Sequence, residues 1–196
     1  MPVSSTLAPA QDHHGDALMQ QLSVARTVLL QAVDLLDNYL ISDEQLSVSS
    51  KYLPGSTIGK HLRHARDHFV LLAACMLQPP PYILSYDTRI RNTPMETSRT
   101  SAKEALLEAI RQLDEVVPTA DMKAPITLHA ITPHMQEFQS TFGRELWFAS
   151  LHCVHHWSMV RVIAGEMNIK LTDDFGFAPS TLVYQDRAAP LGKAKI

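Results

Sequence analysis

In the stretch GRELWFASLHCVHHWSMVRVIAGEMN, residues 143–168, the apolar residues Leu146, Ala149, Cys153, Val160, Ile163 and Met167 recur with helical period. That spacing predicts a long amphipathic helix with one face in a core. His152 and His156 stand four residues apart in it, so they share a face with Cβ atoms about 5–6 Å apart. At about 100° per residue both fall at the edge of the buried stripe, whereas His155 points well away from it. Two imidazoles so placed can chelate one ion. Without an ion they would be half-buried polar side chains, hydrogen-bonded to backbone, carboxylates or water.

Working outward, residues 125–141 alternate apolar and polar around Thr132-Pro133, which predicts a small hairpin before the long helix. Upstream, Ser101-x-x-Glu104 has the form of a capping box, and Leu106, Ile110, Leu113 and Val117 continue a short helix to Pro118. Residues 79–99 open with three prolines and predict an extended connection. Before them a helix starts at a cap on Ser56 or Thr57, carries the stripe Ile58, Leu62, Ala65, Phe69, Leu72 and Met76, and ends near Leu77. The first helix runs from Asp16 to about Leu40 on Leu18, Leu22, Ala25, Leu29, Ala32 and Leu36. Together these predict an all-α four-helix bundle over residues 16–185, with a small hairpin or irregular insert before the last long helix. An N-terminal tail of residues 1–15, holding His13 and His14, precedes it. Beyond residue 168 an irregular C-terminal tail lies on the bundle, and residues 186–196 close the chain.

With 196 residues, 45% of them hydrophobic, the chain suits one domain with a sizeable core. Seventeen basic against twenty acidic residues leave a net charge of −3 without a dense Lys/Arg run, so no nucleic-acid partner is expected. No stretch reaches the roughly 18 apolar residues of a membrane span. Cys75 and Cys153 each sit inside an apolar helical pattern and are read as small buried hydrophobes in a reducing, cytoplasmic setting.

Ten histidines are many for this length, and six crowd two helical segments. On the second helix His61, His64 and His68 lie along one flank of the apolar stripe, and spacing leaves open which of them supplies a third nitrogen. Three neutral imidazoles around a zinc-like ion leave a position for water or substrate, and protonation at the free imidazole pKa of about 6.5 predicts release of the ion below that pH. A di-iron carboxylate site is disfavoured, since neither cluster has Glu three residues before a His. Arg144 and Glu145 read as a surface ion pair, and Phe175, Phe177 and Tyr184 as packing of the tail. Trp147 and Trp157 suit the core or a subunit contact.

The segments STIGKHLRHARDHF (56–69), ELWFASLHCVHHWSMVRVI (145–163) and DFGFAPSTLVY (174–184) resemble the DinB/YfiT-like superfamily of four-helix metal-binding proteins, in a branch without an assigned activity. The resemblance covers about residues 16–185. It implies a first metal ligand in a His-x-x-Asp context, matched here only by His64-Ala65-Arg66-Asp67, so His64 is preferred to His61 and His68. It implies the other two ligands in a His-x-x-x-His pair, His152 and His156. Many members place Gly-Gln after the final histidine with one residue between, whereas this chain reads Trp157-Ser158-Met159, so the pocket shape does not transfer. Thiol-dependent transferases and isomerases and metal hydrolases occur among such proteins. The implied function is one divalent ion (zinc, nickel or iron) activating a thiol or water against a small electrophile, with a low-molecular-weight thiol as cosubstrate and a homodimer as assembly. The alternative is a non-catalytic metal-binding, dimerising helical module.

Overall fold

The computed structural model describes residues 13–88, 90–187 and 191. Residues 1–12 of the expected N-terminal tail, and most of 186–196, lie outside the described residues.

Helix α1, His13–Asp34, starts three residues before the expected Asp16, so His13 and His14 stand in its first turn. It passes into a wider π-helical turn, Leu35–Tyr39, which keeps Leu35 and Leu36 buried. Helix α2, Ile58–Met76, is capped by Thr57, whose side chain accepts the Lys60 N–H. Its second residue, Gly59, abuts the turn at Pro94–Glu96, where a Cβ would come within 2.1 Å of the Glu96 carbonyl oxygen. Only glycine permits that approach.

Helix α3, Arg99–Val116, begins earlier and runs longer than expected. Its cap is Ser98, which accepts the Ser101 N–H, rather than the box read at Ser101 and Glu104. The connection at 79–99 also holds a strand, β1 at Tyr82–Leu84, that three prolines in a row concealed. Strands β2, Pro125–Ile131, and β3, Met135–Thr141, form the expected hairpin with Ile131 opposite Met135. β1 pairs in parallel with β2, Tyr82 opposite Ile126, and makes the insert a three-stranded sheet. Helix α4, Phe142–Glu166, follows β3 without a loop, its first turn capped by Thr141.

The long helices form a bundle in which α2 packs on α3 and α4, and α1 on α3 and α4. Leu29, Phe69, Leu106 and Trp157 meet in its interior. Each such side chain stabilises the fold by about 1.5–3 kcal/mol through burial. Trp157 is fully buried and its indole N–H donates to the Val28 carbonyl of α1 at 2.7 Å, so it serves the core and not a subunit contact. Trp147, on the outer face of α4, is 52% exposed.

Phe175 stacks on Trp157 with ring centres 6.2 Å apart. Gly176, at φ +75°, lies so close to α4 that a Cβ would stand 2.7 Å from the Ser158 nitrogen. The tail therefore lies on the bundle as expected, but it ends in a short helix, α5 at Pro179–Tyr184, with Leu182 buried and Tyr184 exposed. No helix among the described residues is long and apolar enough to cross a membrane.

Candidate metal centre

Where α2 faces α4, the two histidine clusters meet. Ring centres of His64 lie 5.2 Å from His152 and 4.7 Å from His156, and those of His152 and His156 are 4.5 Å apart. One ligand nitrogen from each of the three falls within 4.8 Å of the others. The Nε2 atoms of His152 and His156 are separated by 3.1 Å. Two nitrogens bound to one ion at about 2.0–2.1 Å would stand about 3–3.4 Å apart, so this pair already has the separation of neighbouring ligands. The donor set suits zinc, nickel or iron, all of which accept neutral imidazole.

The other two histidines of α2 support the cluster from either side. His61 places its Nδ1 2.7 Å from Nδ1 of His156. His68, 5% exposed, has its Nδ1 3.1 Å from the His64 carbonyl oxygen and its ring centre 4.0 Å from that of His152. His155 is exposed, as its helical phase predicts.

Burial is the main reason that His61, His152 and His156 resist protonation. It pushes His152 down to about 4, with His68 and His155 adding to the effect. His61 is likewise pushed down to about 4 by burial, then by His155. His156 falls to about 2 through burial and then through His152, His64, His61 and His155 around it. All three are therefore neutral at neutral pH, the form that ligates metal.

Beside the cluster lies a polar centre that the sequence does not announce. Glu145 is fully buried, in contrast to the surface ion pair expected of it with Arg144. Its carboxylate accepts from Arg144 at 2.8 Å, from the Tyr86 hydroxyl at 3.0 Å and from Ser140. Burial, and then the Glu145 carboxylate, push the Tyr86 hydroxyl well above its ordinary pKa. Tyr86 stacks on His68 with ring centres 4.4 Å apart, and Phe148 stands 5.7 Å from His152. A cavity of about 450 Å³ opens here, lined by Tyr86, Leu128, Phe138, Ser140, Arg144 and Phe148 among others. Tyr86 and Ser140 belong to the connection and the hairpin, where no periodicity points to a site.

Asp67 of the His-x-x-Asp motif pairs with two arginines. It accepts from Arg63 at 3.3 Å and Arg66 at 3.1 Å, while Arg63 also reaches Glu96 at 3.2 Å. The i,i+4 spacing of Arg63 and Asp67 was the available signal for this network. Cys75 and Cys153 are free and buried, and burial raises both thiols above their ordinary pKa, which suits packing rather than nucleophilic attack.

A family model described as the DinB superfamily matches residues 21–160. An FK506-binding protein 5 of Rhizopus delemar is 32% identical over 166 residues, which cover 83% of this chain and 37% of that protein. The chain thus spans little more than a third of that relative's length. No solved structure matches the chain.

Proposed function

The chain belongs to the DinB superfamily, and from that premise we propose that His64, His152 and His156 hold one divalent ion in a metal-dependent enzyme acting on a small electrophile. The observation that carries this reading is the meeting of three imidazole nitrogens from two helices within 4.8 Å. Three such ligands leave room for a further group, and a bound ion would lower the pKa of a thiol or water held there. The chain's own residues contribute the surroundings. Phe148 and Tyr86 supply apolar walls to a cavity of a size that takes a small molecule. Arg144, held 4.9 Å over the Phe148 ring and paired with Glu145, offers a fixed donor at the same place. The reaction class is thiol transfer or hydrolysis, with a low-molecular-weight thiol as cosubstrate, and a reducing cytoplasmic setting is supported by two free buried thiols.

Metal analysis tests the site. The purified protein is expected to carry one equivalent of zinc, nickel or iron after dialysis, and His64→Ala and His156→Ala to carry none. Unchanged metal content in both variants would refute the ligand assignment. Turnover of thiol and electrophile pairs that disappears with the metal then establishes an enzyme.

A second reading, a metal-holding module that pairs with a copy of itself, is favoured by one feature. Trp147, 52% exposed, and Leu151, 39% exposed, stand one turn apart on the outer face of α4. Trp147→Glu would convert a dimer to a monomer in sedimentation, and a monomeric wild-type protein would remove this reading.

A further inference from the structure

Resting on the metal site proposed above, we infer that His61 is a positioning residue: it accepts a hydrogen bond from Nδ1 of His156 and thereby fixes the tautomer that leaves the His156 Nε2 lone pair for the ion. Three observations lead there. The Nδ1 atoms of His61 and His156 are 2.7 Å apart. The Nε2 atoms of His156 and His152 are 3.1 Å apart. The Nε2 of His61 is buried without a hydrogen-bond partner among the described residues.

A neutral imidazole carries one N–H and one lone pair. Two nitrogens at 2.7 Å must therefore share a single proton between them, which leaves two arrangements. If His61 donates from Nδ1, His156 holds its own proton on Nε2, directed at His152, and cannot ligate through that atom. If His156 donates from Nδ1, its Nε2 is bare beside the Nε2 lone pair of His152, and the proton of His61 sits on Nε2.

Only the second arrangement offers both Nε2 atoms to one cation. Without a cation those two lone pairs repel at 3.1 Å, and the first arrangement is the stable one. Loading the site thus requires two protons to change places, on His61 from Nδ1 to Nε2 and on His156 from Nε2 to Nδ1, with no net proton released by the pair. The buried, partnerless Nε2 of His61 is the position that receives the proton. Ligating histidines usually donate their second N–H to a carboxylate, a carbonyl or water. An imidazole acceptor in that role fixes the ring without adding negative charge, so less of the ion's charge is offset.

Zinc affinity measured against a competing chelator tests this in the full chain. His61→Leu keeps the bulk and removes the acceptor, and is expected to weaken zinc binding about 10- to 100-fold. His61→Asn, whose side-chain oxygen falls near the Nδ1 position, is expected to stay within a few-fold of wild type. Long-range proton–nitrogen NMR of the zinc-loaded wild-type protein should show His61 protonated on Nε2 and His156 on Nδ1. Wild-type affinity in the leucine variant, or a proton on Nδ1 of His61 in the loaded protein, would overturn the inference while the metal reading stands. A wild-type protein that binds no zinc, nickel or iron would overturn both. Should the leucine variant not fold, the asparagine variant and the NMR measurement still decide.

Discussion

Helix α2 carries two polar clusters a few residues apart that settle their electrostatics in opposite ways. On one flank Arg63, Asp67 and Glu96, each less than a tenth exposed, pair cation with carboxylate. On the other, His61, His64 and His68 meet His152 and His156, and imidazole faces imidazole. The first cluster supplies its own counter-charges, and its function is to fix α2 against the turn at Pro94–Glu96. In the second, the 3.1 Å between the His152 and His156 Nε2 atoms suits either an N–H facing a lone pair or two lone pairs facing one cation. The first cluster answers charge with charge, whereas the second consists of neutral imidazoles whose N–H groups and lone pairs can be rearranged.

Removing the counter-charge gives the largest expected effect. Arg63→Met leaves Glu96 buried without its cation and Asp67 with Arg66 alone, and should cost about 3–5 kcal/mol in denaturant unfolding. Metal content per folded molecule should be unchanged, because the ion pairs of the network run among Arg63, Arg66, Asp67 and Glu96. His152→Gln should behave the opposite way, abolishing metal binding while the melting temperature of the metal-free protein stays near that of wild type. If both variants lose stability and metal together, the two flanks form one unit and the contrast fails.

Acid should separate the flanks next. His61, His152 and His156 have folded-state pKa values below the ordinary 6.5, at about 4, about 4 and about 2. Between about 6.5 and about 4 the unfolded chain therefore binds more protons than the folded one. Stability of the metal-free protein is thus fully present above about 6.5 and falls as pH is lowered through that window. Denaturation midpoints at a series of pH values check this, and a midpoint that is flat from neutrality to pH 4 would contradict it. The same burial changes the expectation drawn from a free imidazole. Loaded protein should keep its ion through pH 6 and lose it as the pH approaches about 4, as dialysis followed by metal analysis will show.

The smallest effect belongs to an exposed ion pair. Arg111 pairs with Glu108 and Glu115 on the outer face of α3. Arg111→Ala should leave the denaturation midpoint unchanged, since exposed pairs are screened by water and salt. A clear loss there would show that solvent exposure does not explain why Arg63 matters.

Much of this architecture is legible in the chain because burial imposes a period. The stripes of α2 and α4 mark the helices, and Thr57 and the Pro79 run mark where α2 begins and ends. His152 and His156 are legible as a pair because one turn of helix fixes their separation. His64 is singled out by the family resemblance through its His-x-x-Asp context, yet Asp67 of that motif pairs with Arg63 and Arg66. Strand β1 is not legible in the sequence because its partner, β2, lies more than forty residues away and three residues carry too little pattern. Ser98 rather than Ser101 caps α3, since either serine can serve and only the path of the chain selects between them.

By itself, then, the sequence determined the four long helices, the hairpin and the pair of histidines on α4, because those follow from contacts between residues close in the chain. The tertiary structure alone decided that Glu145 is buried beneath Tyr86 and Ser140, that Trp157 binds α1, and that His61 meets His156. Each of these joins residues from separate elements, and their meeting depends on how α1, α2 and the sheet settle against α4. Local periodicity carries no record of that approach.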